Sequence, residues 1–197
     1  MKVAPLADIP EVLLVEPRAF DDARGYLLVN WNAEAYAAHG IAGPFVQDNV
    51  SYSRRGVLRG LHVQHPGGQA KLVSVLRGAV YDVALDVRAS SPTFGRWVGA
   101  ELSEENHRQL YIPSGFAHGF LVLSDDAVVS YKVDAPYRPD AELSVRWDDP
   151  AIGIAWPSSV EPQLSPKDAA ALTLGQIGPA RLPDLIRPGG ADRSVRA

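Results

Sequence analysis

Apolar and polar residues alternate over short runs of this chain, the period of two that half-buried β-strands require. In AVYDVALDV, Tyr81, Val83, Leu85 and Val87 share one face, and Asp82, Ala84 and Asp86 share the other. KLVSVL precedes that segment, and Arg77-Gly78 between them suits a tight turn, so a hairpin is predicted from Lys71 to Val87. A second hairpin is predicted from FAHGFLVL (Phe116 to Leu123) and AVVSYKV (Ala127 to Val133), which flank Asp125-Asp126. It puts Phe116, His118, Phe120 and Val122 on one face, and on the return strand Val129, Tyr131 and Val133. GYLLVNW, FVQDNVSYS and GVLRGLHVQ read as three further strands. Two helices are expected at the edge of the β core. Asn32 can cap AEAYAAH before Gly40, and Ser165-Pro166 can start KDAAALTL before Gly175.

The 16 prolines and 17 glycines interrupt the chain too often for a helical protein, and no βαβ alternation is visible. The class is all-β, a sandwich or jelly-roll barrel with a few short peripheral helices. A length of 197 residues suits one domain with a sizeable core. After Gly175 the composition shifts to Gly, Pro and Arg, so the domain is expected over residues 1–175 and a tail over 176–197. The stretch PGGADRSVRA has little to bury and reads as mobile.

Composition narrows the chemistry mainly by what is missing. Without cysteine there can be no disulfide, thiolate nucleophile or cysteine-ligated metal. A net charge of -4 offers no broad basic surface for nucleic acid. No apolar run approaches the roughly 18 residues of a membrane span, and MKVAPLADIPEVLLVEP lacks a basic stretch leading into a long apolar one. A cytoplasmic protein is therefore expected, with neither membrane nor nucleic acid as partner. The chain has no Gly-rich phosphate loop, no H-E-x-x-H and no G-x-S-x-G. His62-Val63-Gln64-His65 puts its two histidines on opposite faces of a strand, so no metal site is expected from them. What remains is proton chemistry by His, Lys, Tyr and carboxylates in an apolar barrel.

Taken singly, the candidates for that chemistry have ordinary explanations. His62 shares a strand face with Leu58, Gly60 and Gln64, where a histidine is more often a satisfied structural residue than a base. Parity sends Arg59 to the other face, although a bulge at Gly60 would let both residues reach one cavity. Lys71 opens a strand of Val and Leu and reads first as an exposed strand-end charge. Tyr131 reads as a half-buried strand aromatic. Asp168 follows Ser165 by three residues, and a role at the helix start explains it.

Together, however, FVQDNVSYSRRGVLRGLH, KLVSVLRGAVYDVALDVRASSPTFGRW, LYIPSGFAHGFLVLS and WDDP followed by LSPKD resemble, in order, blocks of the dTDP-4-dehydrorhamnose 3,5-epimerase family. The resemblance covers about Phe20 to Asp168. It implies a metal-free, cofactor-independent cupin-type jelly roll that forms a homodimer by exchanging N-terminal strands. It also implies epimerisation of a dTDP-4-keto-6-deoxyhexose at C3 and C5 through enolates, as in dTDP-L-rhamnose biosynthesis. By position in GLH, His62 would be the base, with Asp168 of SPKD orienting it, Lys71 of KLV beside the enolate oxygen and Tyr131 of YK delivering the proton. Arg24 and Arg59 would bind the diphosphate, Gln47 and Asn49 the sugar-nucleotide, Phe20 and Tyr137 the base, and His118 would line the sugar pocket. Where relatives often have a glutamate after the arginine-glycine block, this chain has Val29, which removes an expected polar contact to the thymine.

Two other readings share most of these residues. An epimerase of a single carbon in a specialised deoxysugar pathway would keep His62, Lys71 and Tyr131. A non-catalytic sugar-nucleotide-binding cupin would be expected to have lost His62, Asp168 or Tyr131, and all three are present. A metal-dependent cupin oxygenase would need a histidine-carboxylate set that cannot be assembled on one face.

Overall fold

The computed structural model describes residues 1–41 and 43–185. Its strands are β1 (Lys2–Leu6), β2 (Ile9–Glu16), β3 (Ala19–Asp22), β4 (Gly25–Leu28), β5 (Gln47–Arg54), β6 (Leu58–Gln64), β7 (Lys71–Arg77), β8 (Ala79–Asp86), β9 (Trp97–Ser103), β10 (Gln109–Ile112), β11 (Phe116–Val122), β12 (Asp126–Val133) and β13 (Glu142–Ser144). They form a six-stranded sheet in the order β1-β2-β10-β7-β12-β5, a five-stranded sheet in the order β13-β6-β11-β8-β9, and the separate pair β3-β4. The ladders between these strands are antiparallel. The two large sheets face each other. Ile9, Val12, Val73, Val75, Leu110, Ile112 and Val129 of the first pack against Val80, Ala84, Val98, Leu102, Phe116, Phe120 and Val122 of the second. The all-β class expected from the alternation, and the jelly roll that the family resemblance implies, are thus the fold observed.

Neither expected hairpin forms. β7 pairs with β10 and β12, whereas β8 pairs with β11 and β9 in the opposite sheet. Likewise β11 pairs with β6 and β8, while β12 pairs with β5 and β7. A period of two and a tight turn are equally compatible with a return beside the first strand and a crossing to the facing sheet. The crossing is favoured because it puts the apolar faces of both strands into one core. At the first crossing, Gly78 has φ +77, and a side chain there would run into the backbone of Asp126.

The outer face of β8 is not solvated either. Val83, Leu85 and Val87 lie beneath Trp156, Leu174, Ile177 and Leu182. Burial of Ile177 and Leu182 carries the packed unit past the expected boundary at residue 175. The stretch 188–197, expected to be mobile, lies outside the described residues.

The helix α1 (Ala33–Ala37) starts where expected, with Asn32 Oδ1 accepting from Ala35 N at 2.9 Å. Its Tyr36 is buried with Val15, Ile41 and Leu72 on the outer face of the six-stranded sheet. The second expected helix is two, α2 (Pro166–Ala169) and α3 (Leu174–Ile177). The break arises because the Leu172 carbonyl accepts from Arg146 N and Thr173 then forms a capping box with Gln176. Among the described residues no helix is long and apolar enough to cross a membrane.

Candidate active site

Between the two sheets opens a cavity of about 670 Å³ whose lining includes His62, Lys71, His118, Tyr131, Glu142 and Asp168. These residues come from β6, β7, β11, β12, β13 and α2. Arg59 lines it too, despite its parity with His62, and Gly60 is the reason. His118 pairs with His62 and Phe120 with Arg59, so two steps along β11 span three along β6. This is the bulge anticipated at Gly60, which has φ +119. A Cβ at Gly60 would lie 2.6 Å from Gly119 Cα and 2.6 Å from the His118 carbonyl, so both glycines permit a backbone approach that no side chain allows.

His62 Nε2 lies 2.7 Å from Asp168 Oδ1. Asp168 is buried, and its own N–H donates to Ser165 Oγ at 3.1 Å, so the helix cap also holds the carboxylate in place. Burial works to raise its pKa, but the hydrogen bond and charge of His62 prevail and keep the carboxyl below its usual range. The other ring nitrogen, Nδ1, faces the cavity 3.6 Å from Glu142 Oε1. Glu142 Oε2 accepts from Lys167 Nζ and, at 3.0 Å, from Tyr137 Oη. Burial again pushes upward and is outweighed, first by the Lys167 hydrogen bond and then by the charge of His62, so Glu142 is held ionised. His62 therefore has a carboxylate on each side of its ring.

Lys71 is not an exposed strand-end charge; it is 7% exposed. Among the described residues its ammonium has no hydrogen bond or salt bridge. Burial pulls its pKa from 10.5 to about 8 against the longer-range attraction of Asp134, Glu142 and Asp82. The Tyr131 phenol is raised by burial, with Arg59 opposing and Glu142 adding to the shift, so it is protonated at neutral pH. His118 Nε2 is 2.9 Å from Asp82 Oδ2, both buried.

Of the other expected site residues, Gln47, Asn49 and Tyr137 line the cavity. Phe20 and Arg24 are not brought to it within one chain. They lie on the β3-β4 hairpin, which among the described residues pairs only with itself; Phe20 is exposed, and the Arg24 guanidinium is 2.6 Å from Asp22. Sequence reasoning gave no role to Glu142, Lys167 or Asp82. Asp82 had left a signal, an acid between apolar neighbours in mid-strand, whereas AELS around Glu142 carries no pattern at all. Among the described residues no group of three or more His, Asp or Glu side chains is placed to hold a metal ion.

The family model described as dTDP-4-dehydrorhamnose 3,5-epimerase matches residues 7–176. The chain belongs to that family. It is 52% identical over 170 residues to the dTDP-4-dehydrorhamnose 3,5-epimerase of Salmonella typhimurium, covering 85% of this chain and 93% of that protein. The crystal structure of the dTDP-6-deoxy-D-glucose-3,5-epimerase of Legionella pneumophila in complex with dTDP-4-keto-L-rhamnose superposes with a TM-score of 0.91 at 48% identity, over 94% of this chain and 99% of that one. A 3'-monoepimerase of Streptomyces bikiniensis in complex with dTDP-quinovose gives 0.86 at 40% identity, over 92% of each chain. This epimerase chain thus shares its fold with enzymes of both one-carbon and two-carbon specificity.

Proposed function

We propose that this epimerase inverts C3 and C5 of a dTDP-4-keto-6-deoxyhexose by proton abstraction and return. The observation that carries the reading is the His62-Asp168 pair at 2.7 Å in one cavity with Lys71 and Tyr131. The C4 carbonyl acidifies the hydrogens on both adjacent carbons. Asp168 occupies Nε2, so Nδ1 is the nitrogen that takes the proton, and Asp168 stabilises the imidazolium that forms. The electron pair left on carbon moves to the carbonyl oxygen, where the buried Lys71 ammonium stabilises the enolate. Tyr131 then donates its phenolic proton to the opposite face of the carbon. Arg59 binds the diphosphate, with its guanidinium oriented by Ser53 Oγ at 3.0 Å.

Each abstraction and return replaces a carbon-bound hydrogen with one from solvent. Turnover of dTDP-4-keto-6-deoxyglucose in heavy water is expected to leave deuterium at both C3 and C5, read by mass spectrometry and proton NMR. Label at one carbon alone would favour a monoepimerase. No label beyond the no-enzyme control would end the epimerase reading.

A homodimer completes the site in this reading. It would carry Phe20 and Arg24 of one subunit to the cavity of the other, and the exposed Val50, Tyr52 and Leu76 of the six-stranded sheet leave an apolar face for a second copy. The Val29 side chain, also exposed, has no group that can hydrogen-bond a nucleobase. The ratio of kcat/KM between thymidine and uridine diphosphate sugars is expected below about a hundredfold, or about 2.7 kcal/mol; a larger ratio would mean that other residues read the base.

A further inference from the structure

Strand β5 turns four polar side chains inward, Gln47, Asn49, Ser51 and Ser53. Three of them are engaged. Gln47 Nε2 donates to Asn49 Oδ1 at 2.8 Å, and Ser53 Oγ accepts from Arg59 Nε at 3.0 Å. The fourth is not: Ser51 Oγ is buried and has no hydrogen-bond partner among the described residues, although the side chain lines the cavity. Its cross-strand neighbour, Val129, can offer it no side-chain acceptor. A buried hydroxyl without a partner destabilises a fold and calls for an explanation.

The neighbouring charge supplies one. Arg59 Nη2 donates to the Tyr52 carbonyl at 3.3 Å, which lays the guanidinium against β5 at residues 52 and 53, immediately beside Ser51. A donor next to a fixed cation matches an anionic oxygen. We infer that Ser51 is a substrate-binding residue whose hydroxyl donates to a non-bridging oxygen of the diphosphate held by Arg59. This rests on the function proposed above and adds to it a second, uncharged diphosphate contact.

The inference predicts an unusual pair of effects for Ser51→Ala: weaker binding together with a stability that is equal or higher, because the orphan hydroxyl is gone. Calorimetric titration with dTDP and with inorganic pyrophosphate should show both dissociation constants raised about tenfold or more, with KM rising by more than kcat falls. Unchanged affinity for both ligands would overturn the inference. So would a loss for dTDP alone, which would place the contact on the nucleoside, or a clearly lower melting temperature, which would mean that the hydroxyl has a partner within the protein. If the wild-type protein binds dTDP and turns over the sugar while Ser51→Ala behaves identically, this inference alone fails. If the wild-type protein does neither, the sugar-nucleotide reading fails with it.

Discussion

His62→Ala is expected to lower turnover of the 4-keto sugar about a thousandfold or more while the protein stays folded. Neither Glu142 nor Tyr131 is suited to take over as the base. Glu142 is tied to Lys167 and Tyr137 and held ionised well below neutrality, which makes it a poor acceptor for a carbon-bound proton. The Tyr131 phenol is raised by burial and stays protonated, which suits the donor role proposed for it rather than that of a base. The His62 side chain is 29% exposed, so its removal leaves a dent in the cavity wall rather than a void in the core. Asp168→Asn should cost less, because the asparagine can still orient the ring but no longer stabilises the imidazolium. Steady-state kinetics and circular dichroism on the same preparations decide the matter. Near-normal turnover in folded His62→Ala would remove it as the base, and a larger loss from Asp168→Asn would invert the proposed roles.

Lys71→Met should separate activity from stability in opposite directions. Loss of one preorganised charge at the enolate oxygen is expected to lower kcat about a hundredfold to a thousandfold. The fold, in contrast, should gain. Lowering an ammonium pKa from 10.5 to about 8 means that the buried cation costs the folded state about 3 kcal/mol wherever both states are protonated. That cost is fully present below pH 8. It is relieved as pH rises from 8 towards 10.5, where the unfolded chain still holds the proton that the folded one has released, so wild-type stability rises relative to Lys71→Met across this window. Activity should fall over the same alkaline range as Lys71 becomes neutral. Denaturant melts at pH 7 and pH 10 test the sign, and a Lys71→Met variant less stable than wild type at pH 7 would contradict it.

The legible part of the fold was what depends on neighbours in sequence. The alternation from Tyr81 to Val87 and from Phe116 to Val122 correctly gave strands and faces, because side-chain direction is a local property. Which sheet each strand joins is not local, and there the expected hairpins failed. The site shows the same division. Asn32, Ser165 and Asp168 could be read from capping spacing, and Gly60 from the conflict between the faces of Arg59 and His62. Lys71 could be singled out, but its burial depends on side chains far along the chain. Glu142 reaches His62 only because β13 pairs with β6, a contact that three residues of strand do not advertise.

The strands around the cavity share one property that bears on how the protein is made. β5, β6, β7, β11, β12 and β13 each pair with strands remote in sequence, and among the described residues none pairs with its immediate neighbour along the chain. Among the described residues the sequence-local pairs are β1-β2, β3-β4 and β8-β9, none of which lines the cavity, although Asp82 of β8 is 2.9 Å from His118. Early folding events can therefore build the local pairs, while the cavity waits for large loops to close, the slow regime of milliseconds to seconds typical of non-local β topologies. During that wait the edges of the future site are unpaired and able to associate with other chains. The close passage of Gly60 by Gly119 belongs to this late step. Substitutions there act on the yield of folded enzyme as much as on its rate.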